Sequence, residues 1–181
     1  MNVAKRPTLE TTRLRLRPYT EADIAELLPL IGTREVAATT LRIAHPYTEA
    51  DAKDFLQLAQ EPDKLWLAIT LRSDGRQIGG MGLRLDPPHQ HGEIGYWLGV
   101  AYWGEGYATE AAREMMRYGF EELALHRIYA SHFGHNPASG RILRKLGMRY
   151  EGCQRQHLRK WDRYVDSELY GILREEWKAS E

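Results

Sequence analysis

The stretch that most restricts the fold is Glu93-Ile-Gly-Tyr-Trp-Leu-Gly-Val-Ala-Tyr-Trp-Gly-Glu-Gly-Tyr-Ala-Thr-Glu-Ala-Ala112. Its first part has period two. Ile94, Tyr96, Leu98 and Val100 share one face of an extended chain, which predicts a strand. The period then changes: Ala108, Ala111, Ala112, Met115 and Gly119 fall at helical spacing. Between the two lies Trp103-Gly104-Glu105-Gly106-Tyr107, whose glycines permit a tight turn and a close ligand approach. A strand, a glycine turn and a helix start together aim unpaired N–H groups and the positive dipole end at one spot. That predicts an anion site, with phosphate as the anion. Thr109 stands where a dinucleotide loop would place its third glycine, and the Gly-Lys-Ser/Thr of a triphosphate loop is absent. The stretch alone also admits a bare strand-to-helix turn whose glycines serve geometry only.

The chain around it predicts one domain over residues 1–181, with 43% apolar residues supplying a continuous core. Its 25 basic and 25 acidic residues cancel, so bulk charge favours neither nucleic acid nor a membrane surface. The single cysteine, Cys153, allows no internal disulfide and fits a reducing compartment. No apolar leader or membrane-length run is present, so the sequence predicts a cytoplasmic protein.

In chain order, Thr12-Arg-Leu-Arg-Leu-Arg-Pro18 alternates as a first strand ended by proline. Its Arg13, Arg15 and Arg17 read as a solvated face in preference to an anion stripe. Thr-Glu-Ala-Asp occurs at residues 20–23 and again at 48–51, each time as a capping box opening a helix. Residues 33–47 read as an irregular connection of the kind that contacts substrate. Residues 64–72 and 77–85 form a hairpin about Ser73-Asp-Gly75. Gly79, Gly80 and Gly82 in its second strand imply that something packs closely on the backbone. His89 and His91 lack a third ligand, so a metal pair is disfavoured and no metal is expected. After the central helix come a strand at residues 126–132 and a helix capped by Asn136 and Pro137 and closed by Gly147. Two strands, 148–158 and 164–173, join through Arg159-Lys-Trp-Asp-Arg163. The order predicts an α/β fold of three layers: a mixed, mostly antiparallel sheet of about seven strands flanked by about four helices.

Glu93-Ile-Gly-Tyr-Trp-Leu, Tyr102-Trp-Gly-Glu-Gly-Tyr-Ala-Thr-Glu-Ala111, Asn136-Pro-Ala-Ser-Gly-Arg-Ile-Leu-Arg-Lys-Leu-Gly147 and Glu151-Gly152 resemble the GNAT N-acetyltransferases, in the RimJ/RimL-like branch. The likeness spans almost the whole chain. It implies acetyl-CoA as co-substrate, its pyrophosphate cradled by the loop from Trp103 through Gly104, Glu105, Gly106, Tyr107, Ala108 and Thr109. It implies pantetheine amides pairing with the strand edge at Leu98 and Val100. Asn136 matches the position that contacts the pantetheine arm. Ser139 matches the position whose hydroxyl both lies on the cofactor and protonates the departing thiolate. The family pattern has Gln or Arg where this chain has Ala101, which leaves the cradle to backbone amides.

Amine acetylation needs a base for the ammonium, donors for the oxyanion and an acid for the thiolate, and no covalent nucleophile. Glu93 is the base candidate; a carboxylate pairing with an arginine such as Arg84 is the competing role. Most of the aromatics, Tyr96 included, read as packing. The resemblance thus implies an N-acetyltransferase acting on a primary amine, either a protein N-terminus or a small molecule, in a monomer or a homodimer. A non-enzymatic acyl-CoA-binding module is the alternative.

Overall fold

In the computed structural model the described residues are 6–178. A two-residue strand, β1 (Leu9–Glu10), pairs antiparallel with β2 (Leu14–Pro18), whose leucines are fully buried while Arg15 is exposed. The Thr20 box turns the chain through a 3₁₀ segment into α1 (Ile24–Ile31). There the Asp23 carboxylate accepts from the Thr20 N–H at 2.7 Å and from its hydroxyl at 3.1 Å. The 33–47 connection is less irregular than expected. Thr33 caps a short helix, α2 (Arg34–Ala38), by accepting from the Val36 N–H at 3.4 Å. Five residues are too few for a helical period to show in sequence. At Thr48 the box closes in both directions, starting α3 (Glu49–Leu58).

Strands β3 (Lys64–Leu71), β4 (Gln77–Asp86) and β5 (His91–Leu98) form a meander, followed by α4 (Tyr107–Glu121) and β6 (Arg127–Phe133). Then come α5 (Pro137–Lys145), the long hairpin β7 (Arg149–Lys160) and β8 (Arg163–Leu173), and a terminal turn of helix, α6 (Arg174–Lys178). The described residues thus hold the expected α/β arrangement, with β1, α2 and α6 in addition. The sheet runs β1-β2-β3-β4-β5-β6-β8-β7, antiparallel throughout except for the β5–β6 pair. Helices cover both faces. The core of one face gathers the buried side of α4 (Ala111, Ala112, Met115, Met116) with Leu143 of α5 and Trp177 of α6. The core of the other gathers Leu27 and Ile31 of α1, Val36 of α2 and Ala52 of α3.

One strand boundary differs from expectation. β5 stops at Leu98, and Val100 opens a 3₁₀ turn in which Tyr102 N–H donates to Gly99 O at 2.9 Å and Trp103 N–H to Val100 O at 3.1 Å. Valine's preference for extended backbone yields to the chain reversal that leads into α4. Val100 therefore cannot extend the strand edge.

Candidate active site

The site begins where the sheet comes apart. β5 and β6 are in register only at His91↔Arg127, Gly92↔Ile128 and Glu93↔Tyr129; beyond, both strands continue without pairing. On its other side β5 stays zipped to β4 as far as Leu98. Gly99 N–H donates toward β4, to Ile78 O at 2.9 Å. By alternation the amides of Leu98 and Tyr96 face the gap. Leu98 O accepts there from Trp103 Nε1 at 2.8 Å, which folds the indole back over the strand end.

At one end of the gap sits the glycine turn. Gly104 and Gly106 have φ of +84° and +81°, the left-handed region that favours glycine. Gly106 takes the N-cap position of α4 and brings no side chain to it, so no protein side chain caps the first-turn N–H groups. The turn is braced from just before β2. Arg13 donates to Glu105 O at 3.1 Å and to Glu110 Oε2 at 2.6 Å, and its guanidinium lies 4.4 Å over the Tyr107 ring. Arg15 and Arg17 pair with Glu10 and Asp23. Arg13, Arg15 and Arg17 therefore each have a carboxylate partner, and Arg13, just before β2, adds a role that neither the solvated-face nor the anion-stripe reading contained. Glu105 itself is exposed, as expected.

The α4 face of the gap carries Ser139 and Tyr96, whose oxygens share a hydrogen bond of 2.7 Å. Burial pushes the Tyr96 phenol up to about 12, with the bond to Ser139 opposing, so it stays protonated at neutral pH. Ser139 is placed by the cap of α5, where Asn136 Oδ1 accepts from its N–H at 3.4 Å. Tyr96 is a cleft-lining residue that the sequence reading passes over. An aromatic in a strand looks like packing, and only the position of α5, forty-three residues later, reveals its partner.

Glu93 lies on the opposite face, because side chains at 93 and 96 alternate. It forms an ion pair with Arg84, its cross-strand neighbour. The competing role is therefore real, but the carboxylate also lines the cleft. The floor beside it explains the glycines of β4. A Cβ at Gly82 would run into the Trp66 indole, and one at Gly80 into the Tyr19 hydroxyl and Trp97. Trp66, Gly82 and Gly95 are neighbours across three strands, so the indole lies flat over two glycines. The resulting cavity, about 1050 Å³, runs through the sheet. Its lining extends from Gly104, Gly106 and Thr109 past Ser139 to Glu93, Trp66 and residues 39–44.

A gap between two parallel strands, with an uncapped helix start on one side and a carboxylate on the other, suits a long phosphorylated donor meeting a second substrate. Residues 13–149 match the Acetyltransferase (GNAT) domain. The chain belongs to the GNAT acetyltransferases. The uncharacterized N-acetyltransferase YoaA of Bacillus subtilis (strain 168) is 33% identical to it over 172 residues, covering 93% of this chain and 97% of YoaA. The crystal structure of a GNAT-family acetyltransferase from Bacillus anthracis superposes with a TM-score of 0.85, at 26% identity over 93% of this chain and 99% of its own. The structure of RimL, a ribosomal L7/L12 alpha-N-protein acetyltransferase in complex with coenzyme A, shares the fold at a TM-score of 0.84 and 19% identity, over 92% of this chain and 98% of RimL. This GNAT chain is an N-acetyltransferase, and acetyl-CoA is the family's acetyl donor. Among the described residues no group of three or more His, Cys, Asp or Glu is placed to hold a metal; the rings of His89 and His91 lie 5.9 Å apart. No helix among them is long and apolar enough to cross a membrane.

Proposed function

We propose that this GNAT enzyme moves an acetyl group directly from acetyl-CoA to a primary amine, on a protein N-terminus or a small molecule, inside the gap between β5 and β6. The observation that carries the reading is the parting of the two strands beyond Glu93↔Tyr129. It frees a strand edge for the pantetheine amides and opens a passage from the α4 face to the α1–α3 face. The turn and first-turn amides from Gly104 to Thr109 hold the pyrophosphate through N–H groups and the helix dipole, with Trp103, whose N–H goes to Val100 O, at the edge of the cradle. Leu98 offers its amide to the pantetheine arm, Asn136 contacts the same arm, and Val100 packs at the turn.

The two faces then divide the chemistry. The thioester reaches Ser139 on the α4 face, and the amine enters beside Glu93. Glu93 accepts the ammonium proton through water. The free amine attacks the thioester carbonyl, the nitrogen gives up its second proton to water, and the tetrahedral intermediate collapses to the amide with expulsion of the CoA thiolate. Ser139 gives its proton to that sulfur and is resupplied by Tyr96, a donor at neutral pH that regains its proton from water.

A free-thiol assay with a panel of peptides and small amines tests this, with mass analysis of the acceptor. Thiol release that depends on the amine, with one acetyl gained by the acceptor, is expected. Tight acetyl-CoA binding with no amine-dependent release across the panel would leave only a binding module.

A further inference from the structure

A lysine at the tip of the β7–β8 hairpin has no place in the chemistry above, yet it is buried. Lys160 is only 8% exposed. Among the described residues no carboxylate is bonded to its ammonium. Instead Nζ donates to two main-chain carbonyls of the 39–47 segment: Ile43 O at 2.7 Å and Leu41 O at 3.3 Å. Burial without a counter-charge pushes the ammonium down. A buried cation held by two carbonyls and the face of the Trp161 ring, 5.3 Å away, with no carboxylate, is a costly arrangement, so the carbonyls it fixes matter.

What they belong to gives the arrangement its meaning. Residues 39–44 line the cleft on the α1–α3 face, where Ile43 and Tyr47 pack with Trp66 and Trp97. That wall comes from the β1–β5 half of the sheet, whereas Lys160 comes from the β6–β8 half. The two halves have lost their ladder beyond Glu93↔Tyr129. Two further contacts cross at the same end. His135 Nε2 donates to Ala38 O at 3.0 Å, and the Arg34 guanidinium lies 5.4 Å over Trp161, the residue after Lys160.

We propose that Lys160 is a latch across the open end of the split sheet: a positioning residue that pins the 39–44 wall and so fixes the acceptor side of the cleft. The latch acts on the amine and not on the CoA end, which lies at the glycine turn of α4. It rests on the reading of the cleft as the acetyl-transfer site, but its first test does not require activity. Arg42 is exposed and stands between the two latched residues. Limited digestion of Lys160→Met with trypsin should cut after Arg42 roughly tenfold faster than in the wild-type chain, because the loss of two charge-assisted hydrogen bonds frees the wall. Cleavage after Arg76, in the β3–β4 turn, should be unchanged and serves as the internal control.

The kinetic readout follows. Lys160→Met should raise KM for the acceptor amine roughly tenfold, with KM for acetyl-CoA unchanged. Lys160→Arg, which keeps donors on a long stem, should restore most of both properties. Equal tryptic rates at Arg42 in the wild-type and Lys160→Met chains would overturn the latch even if the enzyme is active. So would an increase of KM shared by both substrates. If Lys160→Met does not fold, Lys160→Gln is the substitute: its amide is uncharged and one bond shorter, so it cannot hold both carbonyls, and wild-type digestion and kinetics in that variant would equally overturn the proposal.

Discussion

Ser139 and Tyr96 form the most informative pair of residues, since a structural hydrogen bond and a proton donor predict different losses. Ser139→Ala should lower kcat by roughly ten- to a thousandfold with acetyl-CoA affinity kept, as expected for a general acid. Tyr96→Phe should show a smaller loss of the same kind, because it removes only the group that resupplies the serine. If the Ser139 hydroxyl merely held Tyr96 in place, the variant would lose about 1 kcal/mol of stability with turnover intact. Melting temperature and kcat on the same preparations separate the two. Glu93 is harder, because its bond to Arg84 gives it a structural role whether or not it takes a proton. Glu93→Gln keeps the size and much of the bonding. Its kcat/KM should fall at neutral pH, and the deficit should shrink as pH rises and the amine arrives already deprotonated. A parallel pH profile for variant and wild type would leave Glu93 with the ion pair alone.

At the scale of elements, the glycine turn and α4 were legible from residues 93–112, because a change from period two to period 3.6 is a local signal. The twin Thr-Glu-Ala-Asp boxes and the Asn136-Pro137…Gly147 helix were legible for the same reason. Short segments were not: β1, α2 and α6 span two, five and five residues, too few to repeat the period that would announce them. The β4 glycines gave the right kind of warning, but only the fold names the rings of Trp66, Trp97 and Tyr19 that lie on them. The turn carries its own prediction. Gly106→Val should remove measurable acetyl-CoA binding in calorimetry, since a branched side chain strains a φ of +81° at the helix start and crowds the anion site. Gly75→Val is the matched control. Its φ of +76° imposes similar strain in an open turn with no atom within 4 Å of the added Cβ, so it should bind acetyl-CoA as the wild type does. Loss of binding in both variants, or in neither, would remove the turn from the cofactor site.

The whole molecule is a sheet held closed at one end and open at the other, and pairwise contacts far apart in sequence decide that shape. Periodicity cannot report them, which is why the Arg13 brace, the Tyr96–Ser139 bond and the Lys160 latch stayed hidden. The Arg17–Asp23 pair, only six residues apart, gives the fold an acid limb. Burial pushes the Asp23 carboxyl up, but hydrogen bonds from Arg17 and the Thr20 N–H, with the guanidinium's charge, outweigh it and hold the group below the usual carboxylate range. The contribution to stability is then complete above the unfolded value near ~3.9 and fades as pH falls through the folded one. Asp23→Asn should cost about 1–3 kcal/mol at neutral pH. Its stability should also fall less steeply than the wild type's below roughly pH 4. Equal acid slopes in denaturant titrations would contradict this.

Direct transfer through the split sheet is the claim on which the functional account turns, and a single-turnover experiment reaches it. Cys153, the one cysteine, is exposed on β7, and partial desolvation together with the neighbouring Glu168 carboxylate pushes its thiol up, so it is a poor covalent carrier. Enzyme loaded with acetyl-CoA is mixed rapidly with an accepted amine, and free CoA and acetylated amine are followed together, with the intact mass of the protein. The two products should appear at one rate, with no CoA released before the amine arrives and no acetyl on the protein. A burst of CoA in the absence of amine, with one acetyl group on the chain, would contradict it.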